Sequence, residues 1–157
     1  MAIVDSSRAV VVGSDGSVTL LTGLPACPIV KSSLKLASAA GAVTISKDGK
    51  FAIAAESGGL VVVKGVDTAT LAQVGSVYSP TFSTPAGTCK LSSAQTLGVM
   101  ADGKFVVTIQ DCHLAKTSAN VGTGVLLTIP FSAGTLGAPI GRLNFVVTPG
   151  NDQLLTH

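Results

Sequence analysis

A polar turn followed by a short apolar run recurs four times along this chain. The copies are Ser6-Ser7-Arg8-Ala9-Val10-Val11, Asp48-Gly49-Lys50-Phe51-Ala52-Ile53, Asp102-Gly103-Lys104-Phe105-Val106-Val107 and Asn151-Asp152-Gln153-Leu154-Leu155. A unit repeated along one chain implies modules stacked on one another, so the repeat constrains the architecture before any single residue does. Three landmarks mark each unit. The first follows the polar turn (Ala9, Phe51, Phe105, Leu154), the second opens the next apolar run (Val18, Leu60, Val125), and the third follows a small or polar stretch (Ile29, Leu71, Leu136). The step from second to third is identical in all three complete units, whereas the steps on either side vary. Successive first landmarks lie 42, 54 and 49 residues apart (Ala9 to Phe51, Phe51 to Phe105, Phe105 to Leu154). That length suits a blade of four strands.

Each unit reads as strands. Val10-Val11-Val12, Val61-Val62-Val63 and Val125-Leu126-Leu127 are short, rich in branched side chains and bounded by Gly, Asp or Ser. Branching at Cβ suits a pleated surface and stiffens a side chain against a helix. Asp-Gly pairs at Asp15-Gly16, Asp48-Gly49 and Asp102-Gly103 mark hairpin turns, because Gly accepts the positive φ they need. The segment nearest to a helical pattern is Ser32 to Ala40, composed mainly of Ser and Ala.

Thr44-Ile45-Ser46-Lys47-Asp48-Gly49-Lys50-Phe51-Ala52-Ile53-Ala54 resembles the "SPDGKFLYVAN" unit of YVTN-type and lactonase-like β-propellers. Val99 to Val107 looks like a second copy, and Leu60 to Lys64 followed by Asp67-Thr68-Ala69-Thr70 is similar to the strand that comes next in that unit. The resemblance spans nearly the whole chain and speaks to fold. It implies an all-β fold of propeller blades, each a sheet of four antiparallel strands. The chain departs from the pattern in having no Trp and one Tyr, with Ala or Val where the family often has an aromatic.

At 157 residues one domain is expected, a partial propeller over 1–157. Its blades divide at about 1–41, 42–95 and 96–143, with half a blade over 144–157. Three and a half units are too few for a closed ring of four to eight blades. The expectation is therefore a segment of a longer propeller, or else a chain that closes its ring by self-association. The apolar share of 46% is ample for a core, and charged residues make up 11%. A formal charge of +2 with no Lys/Arg cluster argues against a nucleic-acid partner. No apolar stretch reaches the ~18 residues of a membrane span. Met1 to Val4 reads as a strand rather than as the start of a signal peptide, so an extracytoplasmic location would need a signal upstream.

In a blade the four strands run from inner to outer. The first-to-second and third-to-fourth turns share one face, which we call lower. The second-to-third turns and the connections between blades share the other, upper face. Both long insertions fall on the upper face: one around Ser79 to Lys90, the other from Gln110 to Asn120. Loops held by a rigid scaffold are where binding residues gather, and loops of this length rarely lack a role. The candidate ligand-binding residues are accordingly Asp15, Glu56, Asp111 and His113. The three acids recur at similar offsets in successive units, where they could hold a divalent cation between them or stand as solvated turn acids. No resident metal or other cofactor is expected beyond that cation.

Cys89 and Cys112 lie on the two upper-face insertions, so a disulfide between them is geometrically open, with Cys27 left over on the lower face. Three reduced thiols are the alternative. Adjacent residues in an extended chain point to opposite sides, so Cys112-His113 does not form a nucleophile–base pair, and the chain has no Cys-x-x-Cys, Gly-x-Ser-x-Gly or phosphate-loop motif. Catalytic residues are therefore not assigned. The expected function is a non-catalytic binding or scaffold module taking a protein or small-molecule ligand on the upper face. The alternatives are a lactonase-like hydrolase of small cyclic esters, implied by the resemblance, and an extracellular surface or adhesion protein.

Overall fold

The computed structural model describes residues 1–84, 87–92, 94–112 and 122–147. The polypeptide is all-β. The first sheet is β1 (Ala2–Asp5), β2 (Arg8–Val12), β3 (Ser17–Thr22) and β4 (Ile29–Lys35). The second is β5 (Ala40–Ile45), β6 (Phe51–Glu56), β7 (Gly59–Lys64) and β8 (Ala72–Tyr78). Both are antiparallel meanders in sequence order. β9 (Thr81–Thr84) and β10 (Gly87–Lys90) form a hairpin between the second and third sheets. The third sheet runs β11 (Ala94–Val99), β12 (Phe105–Cys112), β13 (Gly122–Ser132) and β15 (Gly141–Val147), with the two-residue β14 (Thr135–Leu136) on the end of β13. These are blade-like four-stranded sheets, and among the described residues they do not close into a ring.

The Asp-Gly turns work as local chemistry dictates. Gly49 and Gly103 both hold positive φ (70° and 76°). Asp48 accepts from the Lys50 amide and the Ser46 hydroxyl (3.1 and 2.6 Å), and Asp102 accepts from the Lys104 amide (2.9 Å), each carboxylate tying its own turn. A side chain at Gly103 would meet Lys47 Cβ at 2.8 Å, so the turn of the third sheet rests directly on the turn of the second.

Alternation puts one face of each strand against a neighbouring sheet. Between the first two sheets lies a seam of Val10, Val18, Leu20, Val43, Ala52, Ala54, Val61 and Val63, all buried. Between the second and third lies another, built on Ile53, Leu60, Val62, Val106, Leu127 and Ile129, with Phe51 and Phe131 edge-to-face at 5.9 Å. The inner strands β1, β5 and β11 are neighbours in turn, as in sheets arrayed about an axis. The second sheet is thus covered on both faces, and its central strands are almost continuously apolar.

Ser32 to Ala40, the segment nearest to a helical pattern, is extended: its first half is in β4, where Ser33 packs beside Thr19 and Ser32 accepts from the Leu71 amide (3.3 Å), uses that alternate from face to face. Two expectations need correction. The insertion at Ser79 to Lys90 is not a plain loop, because residues on either side of 85–86 pair as β9 and β10. The outer strand of the third unit begins at Gly141, not near Leu136, since the Ser132–Thr135 turn folds β14 straight back on β13. As a result β15 crosses the boundary expected between 143 and 144. The remainder of the half blade, 148–157, lies outside the described residues.

Candidate functional site

The upper end of the array carries the turn β2–β3, the turn β6–β7, the end of β12, and the connections that lead from one sheet to the next. The first connection is held by both adjacent turns. Leu36 N–H donates to Gly16 O (2.8 Å), Ala40 N–H to Gly13 O, and Ser57 N–H to Ala39 O. The second carries the β9–β10 hairpin, and a disulfide joins its Cys89 to Cys112 at the end of β12, with Cα atoms 6.1 Å apart. Both cysteines are buried.

Gln110 completes this tether. Its side chain is buried, yet every polar atom is used. Ser92 N–H donates to Oε1 (2.9 Å), while Nε2 donates to Lys90 O (2.7 Å) and lies 3.4 Å from Cys89 Sγ. A buried amide so satisfied fixes the segment after β10 against β12. Its sequence signal is faint: Gln110 sits in an alternating strand at a position where its neighbours Val106 and Thr108 point inward.

The candidate residues of the upper end have separate fates. Asp15 is exposed and occupied. It accepts from the Ser17 hydroxyl and amide (2.7 and 3.1 Å) and pairs with Lys35 Nζ at 2.9 Å. The Ser17 hydroxyl first, then Lys35, hold its carboxyl well below the usual carboxylate range. Glu56, at the corresponding turn of the second sheet, is buried instead. It follows Ala52 and Ala54 onto the face toward the first sheet, and its Oε2 has no hydrogen-bond partner among the described residues. Asp111 pairs with Gly124 through β12 and β13, its carboxylate lying outside what is described. His113 lies outside the described residues altogether. Among the described residues no three His, Cys, Asp or Glu side chains gather as a metal would require. Cys27 is free and exposed on the lower side.

Sequence reasoning missed one feature. In β8, partners Val62–Val74 and Leu60–Tyr78 leave Gly75-Ser76-Val77 opposite the single residue Val61, so the strand bulges, with Gly75 at φ 66°. Under the bulge lies a cavity of about 420 Å³ lined by Leu60, Val62, Val74, Tyr78, Gly134 and Leu136, among others. Among the described residues no charged side chain lines it. Tyr78 O–H donates across to Gly137 O, joining the second sheet to the third, and burial pushes the Tyr78 hydroxyl pKa up. Only Gly75, in an otherwise ordinary strand, hints at the bulge. No protein-family model and no curated protein matches this sequence.

Proposed function

We propose that this chain is a non-catalytic segment of a YVTN-type propeller that serves as a binding or scaffold module. One observation carries the reading: Glu56 apart, the polar groups described at the upper end are spent on structure. Asp15 closes its turn with Ser17 and Lys35, Gln110 and the Cys89–Cys112 bond anchor the inter-sheet hairpin, and the connection at 36–40 is tied to both adjoining turns. Such an end presents a fixed surface rather than titratable groups free to move protons. The cavity beneath β8, lined by Ser76, Ser79 and Thr135 as well as by aliphatic side chains, supports binding of a neutral small molecule with both polar and apolar surface, its volume falling within the range typical of ligand pockets. The disulfide favours an oxidising, extracytoplasmic setting.

Nile red titrated into the protein tests the binding part. Its fluorescence should rise, and Val74→Trp, which fills the cavity, should abolish most of that rise. An unchanged signal in Val74→Trp would remove the cavity as a site. The hydrolase reading draws on Glu56, a buried carboxylate with a free oxygen of the kind acid–base chemistry employs. Hydrolysis of γ-butyrolactone should proceed at the uncatalysed rate. A protein-dependent rate lost in Glu56→Gln would overturn the non-catalytic reading.

A further inference from the structure

One short stretch of chain joins the cavity beneath β8 to the disulfide. Tyr78, Ser79 and Pro80 form one wall of the cavity, and β9 begins at the next residue. β10 then brings the chain back to that wall. Just after it, Leu91 N–H donates to Pro80 O (2.9 Å), and the Ser79 hydroxyl donates to Leu91 O. Leu91 is fully buried in the cluster that holds Leu60 and Val62 of the cavity lining and both bonded cysteines. Wall and hairpin base are therefore one hydrogen-bonded unit.

That unit is fastened to the third sheet on either side of Leu91. Cys89 is bonded to Cys112, Lys90 O accepts from Gln110 Nε2, and Ser92 N–H donates to Gln110 Oε1. The three holds differ in kind. A hydrogen bond lost on opening is replaced by one to water, so its net hold is small. The disulfide permits no such exchange, because it closes a 23-residue separation covalently. Both cysteines are buried, so a thiol reaches their sulfur atoms only when the hairpin lifts from β12. Lifting the hairpin carries Leu91 away, and with it the partner of both Ser79 and Pro80. The opening that admits a reductant is thus the opening that dismantles the cavity wall.

We propose, on the reading of this cavity as a binding site, that the Cys89–Cys112 bond switches it: the oxidised chain binds its neutral ligand, and a dithiol that reduces the bond releases the wall and the ligand. In that step the Sγ–Sγ bond breaks and each sulfur takes one electron and one proton from the dithiol, which closes to its own disulfide. The coupling runs both ways. A ligand that favours the oxidised form by a given factor makes the bond harder to reduce by the same factor.

The chain has one tyrosine and no tryptophan, so its intrinsic fluorescence reports Tyr78 on the cavity wall. In a Cys27→Ser background, which removes the exposed free thiol, two readouts compare the oxidised chain, the dithiol-reduced chain and the Cys89→Ser/Cys112→Ser variant. Nile red affinity should fall about tenfold in both bridge-free forms, acrylamide quenching of Tyr78 should rise, and circular dichroism should keep its β-sheet signal. Saturating Nile red should lower the reduction potential of the bond by about 30 mV, the equivalent of that tenfold change. Equal quenching and equal affinity with and without the bond would overturn the switch. So would a loss of the β-sheet signal on reduction, which would make the bond a general staple, or a bond that the dithiol leaves intact in the folded chain. Increased quenching with Nile red bound by neither form would remove the binding reading and uphold the link between bond and wall.

Discussion

The two seams are built differently. The one between the first and second sheets is aliphatic and small, with Val, Ala and Leu at nearly every position, and it encloses a polar misfit, the Oε2 of Glu56, which has no partner among the described residues. The one between the second and third sheets has larger side chains, an aromatic pair, the Tyr78–Gly137 bridge, and the hairpin fastened by Gln110 and the disulfide. Both have the same sheet order and both bury their central strands. The difference lies in what was added to a common plan. Where the connection between sheets is short, backbone hydrogen bonds to the adjacent turns suffice. Where it is long, a covalent link and a satisfied buried amide take over. The entropy of a longer connection has to be opposed by something, and here it is opposed at the upper end.

The largest effects should come from emptying either seam. Leu20→Ala and Leu127→Ala remove fully buried side chains, one from each, and each should cost about 2–5 kcal/mol in urea unfolding. If the three sheets unfold as one unit, both substitutions lower a single shared transition. Two separate transitions would break the comparison by showing that the seams are independent.

Replacing Cys89 and Cys112 together by Ser touches only the second seam. The bond closes a 23-residue separation, so its loss should cost about 3 kcal/mol on the chain-entropy account. Hydrogen exchange should speed up in β9 and β10 while β2 and β3 keep their protection. Equal acceleration in β2 and β3 would contradict the local role assigned to the tether.

Glu56→Met touches only the first seam and should be stabilising by about 1–3 kcal/mol, because it removes a buried oxygen with no partner. A loss of stability in chemical denaturation would show that the carboxylate has a compensating role.

The smallest effect belongs to the lower end of the same seam. Asp5 accepts from the Ser7 amide (2.8 Å) and from Arg8 Nε (2.7 Å), which lower its carboxyl to about 2, and Arg8 in turn donates to Val66 O in the second sheet (3.1 Å). Its folded pKa lies below its unfolded one, so its contribution is present above about pH 4 and is lost as pH falls through about 2. Asp5→Asn should flatten that part of a stability–pH profile. An unaltered slope between pH 4 and 2 would assign the acid sensitivity to other groups.

The blade-like sheets were legible in the sequence because their signals are local. An Asp-Gly turn and a run of valines need no distant partner to be read. What was illegible depended on pairing. Ser32 to Ala40 carries no strong propensity, and only its ladder with β3 makes half of it a strand. The outer strand of the third unit slipped because Thr135-Leu136 is apolar enough to start one, yet the turn before it is too tight to leave β13. Asp15 and Glu56 occupy equivalent turns and read alike, but one is exposed beside Lys35 and the other is buried. No spacing distinguishes a turn acid beside a lysine from one that falls on the inward side of its strand. The bulge at Gly75 and the cavity beneath it arise from two extra residues opposite Val61, a matter of register that a single strand does not display.

The bare backbone at Gly103, lying on Lys47, has a geometric corollary. Where one turn seats directly on the previous one, the angular step between consecutive units is gauged at that point. Even a single methyl would act as a wedge there, opening the step at one end only. The curvature of the array, and with it the number of units needed to come full circle, is thus sensitive to a residue that contributes no side chain at all.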